Sequence, residues 1–552
     1  MVKKLLIIGG VAGGASAAAR ARRLSETAEI VILERGPYVS FANCGLPYHI
    51  GGEIAERNAL LLHTPDSLRA RFNIDVRTRH EATAVDRVAK TVTVRDLQTG
   101  QEYIEHYDAL ILSPGATPIR PPLPGIDDPR VLTLRNIPDM DRMMAALDAQ
   151  VRKVCVVGAG FIGLEMVEAL RHRGLEVTLI ERDPQILAPL DAEMTGSLLE
   201  TLQKQQVKLH IGEGLAAIAP NPQLRLTLSS GAQIETDLVV LAIGVRPENK
   251  LAKDAGLTLG IGGAIIVNAR QQTSDSAIYA TGDAVEVRHV VNGRPVVLPL
   301  AGPANRQGRI AADVIFGRQA AYRGSQGTAI CKLFGMTAGA TGLNEKSLKA
   351  AGMPYRKIYI HANDHAGYYP GAKQISIKLL FSEDTGRVLG AQAVGESGVD
   401  KRLDVLATAI QAQMTVDDLA EMELSYAPPY GSAKDPVNIA GMAAQNLIAG
   451  LSSLIEPEEL DAALSAGAIL IDLRQPEELR QGQIPGAQNL PLPQLRAQAQ
   501  TQLPKDAQLI VYCQVGLRGY IGQRQLQQQG WSVRNLNGGF RTWKMMDALS
   551  GY

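Results

Sequence analysis

One short pattern occurs twice in this chain, and it limits the fold more than any other feature. Residues 3–35 contain an apolar strand "KLLII", a glycine turn "GGVAGG", a helix "ASAAARARRL" and a second strand "EIVILE". Residues 153–181 repeat the order as "KVCVV", "GAGFIG", "LEMVEALRHRG" and "EVTLIE". Strand, turn, helix, strand is a βαβ unit, and two such units predict an α/β fold with two Rossmann-like domains. The glycines permit a tight turn and let the backbone approach a pyrophosphate, and the helix N-terminus that follows favours the anion. Gly158, Gly160 and Gly163 complete the second fingerprint, whereas the first reads Gly9, Val11 and Gly14, with valine at its centre. Each second strand ends in a carboxylate, Glu34 and Glu181, placed to accept hydrogen bonds from ribose hydroxyls.

The 552 residues predict about three or four domains. Lys+Arg and Asp+Glu are both 56, so charge points to neither nucleic acid nor a charged surface as partner. Four cysteines, Cys44, Cys155, Cys331 and Cys513, make no disulfide framework in so long a chain; a reducing, cytoplasmic compartment is expected. The start "MVKKLLIIGGVAGG" has an apolar run too short for a signal peptide, and no apolar stretch is long enough to predict a membrane span. Cys155 lies inside an apolar strand and Cys331 in "TAICKLFG", so both read as packing.

Three further stretches point one way. "DALILSPGATP" (108–118) parallels "DLVVLAIGVRPEN" (237–249), each a buried strand leading into a glycine turn and a proline, and "SAIYATGDA" (276–284) sets Asp283 just past a strand. With the two fingerprints, this set resembles the two-dinucleotide-binding flavoproteins, the pyridine nucleotide–disulfide oxidoreductase family. The resemblance implies an FAD domain over 1–115 and 250–326, interrupted by an NAD(P)H domain over 116–249. It also implies an α+β dimerisation domain over 327–445, and so a homodimer. For FAD it implies Gly9, Val11, Gly14, Glu34, Arg35, the backbone at Ala82, Ser113, Gly115, Asp283, Leu300 and Ala301. For the nicotinamide nucleotide it implies Gly158, Gly160, Phe161, Ile162, Gly163, Glu181 and Gly244. Glu181 would repel a 2′-phosphate and favours NADH, while Arg182 beside it keeps NADPH as the alternative.

After a linker over 446–457, a new α/β segment covers 458–552. Asp472 and Arg474, "GQIPGAQN", the strand-ending Cys513 and a late "LNGG" resemble a rhodanese, a sulfurtransferase domain. "CQVGLRG" places a six-residue loop from Cys513 to Arg518 between a strand and a helix. Its N–H groups, Arg518 and the helix N-terminus would form an open anion cradle around a sulfur, which lowers a thiol pKa and stabilises a persulfide. Six residues rather than seven favours sulfur transfer over phosphatase or arsenate chemistry. Rhodaneses commonly carry Arg after the cysteine. Gln514 here makes the cradle less positive, which disfavours thiosulfate and favours persulfides or polysulfide.

Cys44 lies in "SFANCGLPY" (40–48) with no second cysteine nearby. The stretch resembles the single-cysteine branch of the same flavoprotein family, which includes coenzyme A-disulfide reductases, NADH oxidases and NADH peroxidases. There the cysteine forms a mixed disulfide with a small thiol, or a sulfenic acid. "ELSYAPPYGSAKDPVN" holds no histidine and resembles the coenzyme A-disulfide reductases, where two tyrosines of the partner subunit act as proton donors. By position these are Tyr368 and Tyr426, with Tyr430 as the alternative to Tyr426. The same resemblance implies Arg20, Arg23, Ser40, Asn43, Asn305, Arg309 and Lys434 as coenzyme A contacts. The function expected is an FAD- and coenzyme A-dependent NADH:persulfide or polysulfide reductase that also reduces coenzyme A disulfide. Its catalytic residues would be Cys44, Cys513, Tyr368, Tyr426 and Arg518, with no metal. The alternatives are an NADH oxidase or peroxidase working through a Cys44 sulfenic acid, and a sulfur carrier or redox sensor that delivers sulfur to a partner protein.

Overall fold

A computed structural model describes residues 3–549. The chain divides into two compact units, Met1–Arg182 with Val207–Gly327, and Asp183–Gln206 with Thr328–Tyr552.

The first unit contains both repeated βαβ patterns. Strands Lys4–Ile8, Glu29–Glu34, Asp75–Thr78, Ala109–Leu112 and Ile278–Ala280 form one five-stranded sheet with Lys4–Ile8 at its centre. Its pairings are parallel, and Leu5, Leu6, Ile7, Ile30, Val31 and Ile32 are buried, as expected of strands covered on both faces. A second five-stranded parallel sheet is centred on Lys153–Val157, flanked by Glu176–Glu181 and Leu238–Leu241. Cys155 is buried in its core beside Val157, Ile180 and Val239. The chain crosses between the two sheets along an antiparallel ribbon, Ala116–Pro118 paired with Val245–Pro247. The outgoing and returning connections therefore run side by side, which is how a domain can be inserted into another without unpaired backbone. Helices Ala12–Leu24 and Ala301–Ile315 pack so closely that a Cβ on Gly308 would come within 2.1 Å of the Gly13 carbonyl oxygen.

The second unit is built on two sheets. One is antiparallel, in the order Ala329–Leu333, Met336–Gly342, Val388–Gly395, Gln374–Phe381, Arg356–Asn363. Cys331 is buried in it. The other is parallel, in the order Leu454–Ile455, Ser532–Leu536, Gln508–Tyr512, Ile469–Asp472, Gln488–Asn489. Arg356–Asn363 is the edge of the antiparallel sheet, and the turn after Ser532–Leu536 covers part of it. Asn537 accepts the Tyr359 N–H at 3.1 Å and donates to the Lys357 carbonyl at 3.2 Å. An edge strand whose backbone groups are met in this way does not offer them to another chain.

Buried charge joins the parts of this unit. Lys378 is fully buried and meets Asp191 at 2.8 Å, Glu193 at 2.5 Å and Glu345 at 2.7 Å. Lys357 meets Glu345 at 2.8 Å, Glu458 at 2.5 Å and Glu456 at 3.6 Å. Asp191 and Glu193 explain why Asp183–Gln206, a stretch inside the expected nicotinamide domain, belongs to this unit: their carboxylates find their cations here. Leaving one such charge unpaired costs about 3–5 kcal/mol. Among the described residues no helix is long and apolar enough to cross a membrane.

Candidate functional site

The first fingerprint forms the cradle its spacing predicts. Gly9 has φ +93°, and a Cβ there would lie 2.1 Å from the Ser113 carbonyl oxygen; a Cβ on Gly14 would strike the Gly9 carbonyl oxygen at 1.9 Å. Val11 is the residue before the helix, at φ −100°, so no left-handed conformation is asked of it and a side chain is tolerated. Glu34 accepts the Gly10 N–H at 2.9 Å and the Gly36 N–H at 2.7 Å. Burial nevertheless raises its pKa, against those two hydrogen bonds. Arg35 is half exposed near Glu81. Ala82 is buried at a bulge in strand His80–Asp86, and Gly115 has φ +74° beside Arg135. Leu300 caps helix Ala301–Ile315, whose first residue Ala301 is exposed.

Two features test this cradle for FAD. The Thr281 hydroxyl is buried with no partner, and Asp283 is a half-buried carboxylate raised above its ordinary value by burial. Polar groups held out of water without partners suit a polyhydroxylated ligand. Together with the open helix N-terminus, these residues fit FAD.

The second fingerprint behaves alike. Gly158 has φ +104°, with its would-be Cβ 2.4 Å from the Ala242 carbonyl oxygen, and a Cβ on Gly163 would meet the Gly158 carbonyl oxygen at 1.9 Å. Nothing lies within 4 Å of a Cβ on Gly160, which leaves room for a pyrophosphate. Glu181 accepts the Ala159 N–H at 2.7 Å, matching Glu34 and Gly10. Phe161 and Ile162 start the following helix, with Ile162 exposed, and Gly244 has φ +102°. These residues fit a dinucleotide.

Cys44 sits in the 3₁₀ turn Asn43–Gly45, directly before helix Leu46–Gly51. It is the exposed cysteine of the four. Its surface reaches solvent while neighbouring atoms crowd the sulfur. That crowding, then the Glu165 and Asp283 carboxylates, raises its thiol pKa. Glu165 was not foreseen from the sequence. It lies in helix Phe161–His172, accepts the Tyr48 hydroxyl at 3.2 Å, and is pushed up to about 7 by burial and by Glu168. The helix pattern shows Glu165 only as one more polar position, since its partner Tyr48 is 117 residues away. Arg135 was likewise missed. It donates to the Pro114 carbonyl at 3.0 Å, and burial is the main influence on its guanidinium.

The residues expected for coenzyme A are differently placed. Arg20 is held by Asp313, with Nε at 2.8 Å, while Arg23 is exposed and donates to the Ala19 carbonyl at 3.0 Å. Ser40 is buried with φ +48°, and Asn43 is exposed beside Cys44. Asn305 contacts the Ser16 hydroxyl, and Arg309 is exposed one turn further on. The close packing at Gly308 therefore brings Arg20 and Asn305 onto adjoining helices. In the second unit Lys434 is exposed beside the buried Asp435.

Tyr368 and Tyr426 come from different loops, 58 residues apart, yet their hydroxyls are 3.1 Å from each other. Both are exposed, at 77% and 50%, and the hydrogen bond to Tyr426 raises the Tyr368 pKa. Tyr430 is exposed as well and has no such contact with the pair.

Cys513 follows strand Gln508–Tyr512 and precedes helix Leu517–Gln527. Where an open cradle is expected, Cys513 is fully buried. The turn Gly538–Gly539 packs against its loop. Gly539 has φ +65°, and a Cβ there would lie 2.4 Å from the Cys513 carbonyl oxygen and 2.9 Å from the Gly516 nitrogen. Phe540 N–H bonds the Cys513 carbonyl at 2.8 Å. The Gly516 N–H reaches the Cys513 sulfur at 3.2 Å, as a nest of backbone donors should. Arg518 lies beside that sulfur and pairs both terminal nitrogens with Glu478, at 2.7 and 2.6 Å. Asp472 and Arg474 are fully buried and paired at 2.7 Å, with Arg474 also donating to Gln514 Oε1 at 3.1 Å.

Comparison with known proteins agrees with this architecture. The pyridine nucleotide-disulphide oxidoreductase family model matches residues 3–308, its dimerisation domain matches 328–435, and a rhodanese-like domain matches 456–546. Coenzyme A disulfide reductase of Staphylococcus haemolyticus is 36% identical over 450 residues, covering 81% of this chain and 100% of that protein. The crystal structure of reduced Bacillus anthracis CoADR-RHD is 49% identical, with a TM-score of 0.97 over 99% of this chain and 98% of that one. An NAD-dependent persulfide reductase from A. fulgidus is 37% identical, with a TM-score of 0.93 over 98% of this chain and 100% of that one. This chain therefore belongs to the pyridine nucleotide-disulphide oxidoreductase family, as an enzyme related to the coenzyme A disulfide reductases and extended by a C-terminal rhodanese-like domain.

Proposed function

We propose that this enzyme is a homodimeric NADH-dependent persulfide or polysulfide reductase that also reduces coenzyme A disulfide, with Cys44 forming a mixed disulfide with coenzyme A. One observation carries it: among four cysteines, the exposed one, Cys44, has no cysteine within reach, since Cys155 and Cys331 are core residues and Cys513 is enclosed. A disulfide at Cys44 therefore needs a second sulfur from the substrate. The Staphylococcus and A. fulgidus relatives supply the substrate class by their names.

The residues act in sequence. The Cys513 thiolate takes the outer sulfur of a persulfide or polysulfide and passes it to coenzyme A, giving a coenzyme A persulfide. The Cys44 thiolate then attacks the coenzyme-side sulfur; the S–S bond breaks and hydrosulfide leaves. With coenzyme A disulfide the same attack expels a coenzyme A thiolate. The phenol pair Tyr368 and Tyr426, linked at 3.1 Å, can protonate the departing thiolate, because a phenolic O–H within hydrogen-bond reach can donate its proton to a thiolate. Arg20, Arg23, Ser40, Asn43, Asn305, Arg309 and Lys434 would hold the coenzyme. When bound at the two glycine cradles, the nicotinamide nucleotide and FAD supply the two electrons that cleave the mixed disulfide.

The test uses Cys44→Ser. It should still bind FAD and still accept hydride from NADH, because neither requires the thiol. Reduction of coenzyme A disulfide and of persulfides should fall at least about 10³-fold, the order of loss expected when a covalent nucleophile is removed. In the parent, intact-protein mass spectrometry after coenzyme A disulfide treatment should show one coenzyme A on Cys44, removed by NADH. Retained disulfide turnover in the variant would sink the mechanism. Steady turnover of the parent with oxygen or peroxide as sole acceptor would favour an oxidase or peroxidase instead.

A further inference from the structure

We propose that Glu478 sets the charge of the sulfur donor admitted to Cys513, so that this loop accepts alkyl persulfides, R–S–SH, and turns away the dianion thiosulfate. This rests on the reading of Cys513 as the sulfur acceptor. The loop is surrounded by guanidinium groups, and each is already committed. Arg518, beside the sulfur, is bidentate to Glu478 at 2.6 and 2.7 Å. That pairing holds the Glu478 carboxylate ionised, its pKa lowered to about 2. Arg474 is fully buried against Asp472. Its remaining nitrogen goes to the neutral Gln514. Arg541, whose N–H bonds the Gln514 carbonyl, turns its Nε to the Ser376 hydroxyl. Two carboxylates therefore offset Arg518 and Arg474, and the Gly516 N–H, 3.2 Å from the sulfur, remains to hold an anion. Beyond the loop the helix exposes Leu517 at 65% and, one turn on, Ile521 at 39%, apolar surface that suits the organic part of a persulfide.

The chemistry gives charge its weight. With a persulfide, Cys513–S⁻ attacks the outer sulfur, the donor S–S bond breaks, and R–S⁻ leaves Cys513–S–SH; one negative charge enters and one departs. With thiosulfate, the thiolate and the dianion bring three negative charges together, and sulfite leaves Cys513–S–S⁻. In both cases the sulfane sulfur carries its own oxidising equivalent from donor to Cys513, so no external oxidant is needed. A site in which Arg518 and Arg474 are already neutralised stabilises the first better than the second.

The experiment uses the full-length FAD-loaded enzyme and two probes, glutathione persulfide and thiosulfate. First-turnover rates come from sulfur added to Cys513 by mass spectrometry and from glutathione or sulfite released. Glu478→Gln frees Arg518 and should raise the thiosulfate rate, relative to the persulfide rate, by about tenfold or more, with the gain shrinking in high salt. Gln514→Arg adds a cation without touching the Arg518–Glu478 pair and should shift the ratio the same way. An unchanged ratio in Glu478→Gln overturns the proposal, as does a parallel change with both donors. If Glu478→Gln loses both activities because the loop collapses, Gln514→Arg decides, and no selective thiosulfate gain there overturns the proposal. Sulfur uptake undiminished in Cys513→Ser would instead overturn the reading of Cys513 as acceptor.

Discussion

The Cys44 thiol, proposed above as the nucleophile, has two carboxylates for company, whereas a thiol that acts near neutral pH is ordinarily helped by a neighbouring cation. Burial, Glu165 and Asp283 all raise its pKa. Glu165 matters most for control, because its own pKa is pushed up to about 7, within the working range. Below that pH it is neutral and leaves the Cys44 thiolate alone; above it, its charge opposes the thiolate. Glu165→Gln should therefore speed iodoacetamide alkylation of Cys44 in the NADH-reduced enzyme at pH 8 by several-fold, and hardly change it at pH 6. The parent alkylation curve should show a second inflection near pH 7 that the variant lacks. Identical curves would mean that the Glu165 charge does not reach the sulfur.

At the scale of elements, the junction between edge strand Arg356–Asn363 and helix Gly539–Asp547 is a second pH-sensitive place. His361 is buried, its ring nitrogens 2.8 Å from the Ser376 and Thr542 hydroxyls. Burial first, and then the Arg541 charge, pushes its pKa down to about 3. In the unfolded chain the imidazole protonates near ~6.5. The stability this histidine contributes is therefore complete above that value and is lost as pH falls towards 3. Between pH 7 and 5 the loss is about 2 kcal/mol, at 1.36 kcal/mol per pKa unit. Glu456, pushed up to about 7 chiefly by burial, works in the opposite sense, costing stability as pH rises from the ordinary carboxylate range towards 7. A His361→Gln comparison isolates the first effect. Hydrogen exchange in Arg356–Asn363 and Gly539–Asp547 should accelerate between pH 7 and 5, after correction for intrinsic rates, in the parent and markedly less in the variant. Equal acceleration in both would place the acid sensitivity elsewhere.

For the whole molecule, the division of labour can be tested by mixing chains. Cys44 belongs to the first unit and the Tyr368–Tyr426 pair to the second. If the tyrosines serve the Cys44 of a partner subunit, each active site of the dimer draws on two chains. Cys44→Ser and Tyr426→Phe homodimers should each be impaired in coenzyme A disulfide reduction. Heterodimers formed by co-expression should recover up to about half of the parent activity, one intact site in two, by the symmetry of a two-fold assembly. Recovery no greater than the sum of the parents would mean that each site is completed within one chain, or that Tyr426 is dispensable.

What the sequence by itself determined is local and steric. Gly9, Gly14, Gly158 and Gly163 leave no room for a Cβ, Glu34 and Glu181 bond the turn backbone at Gly10 and Ala159, and the apolar strands between turns have nowhere to lie but inside a parallel sheet. These demands repeat wherever the motif repeats, so the α/β class, the two nucleotide cradles and the terminal α/β module are legible without coordinates. The tertiary structure decided what depends on residues far apart along the chain. It set Glu165 against Tyr48, brought the Tyr368 and Tyr426 hydroxyls together, and drew Asp183–Gln206 into the second unit through Lys378. It also buried Cys513, packed Gly539 against its loop and paired Arg518 with Glu478 across 40 residues. A motif states which backbone conformation it requires, because sterics act between neighbours. It does not state which carboxylate will stand beside which cation, because burial and Coulomb interactions act through space and exist only once the chain has folded.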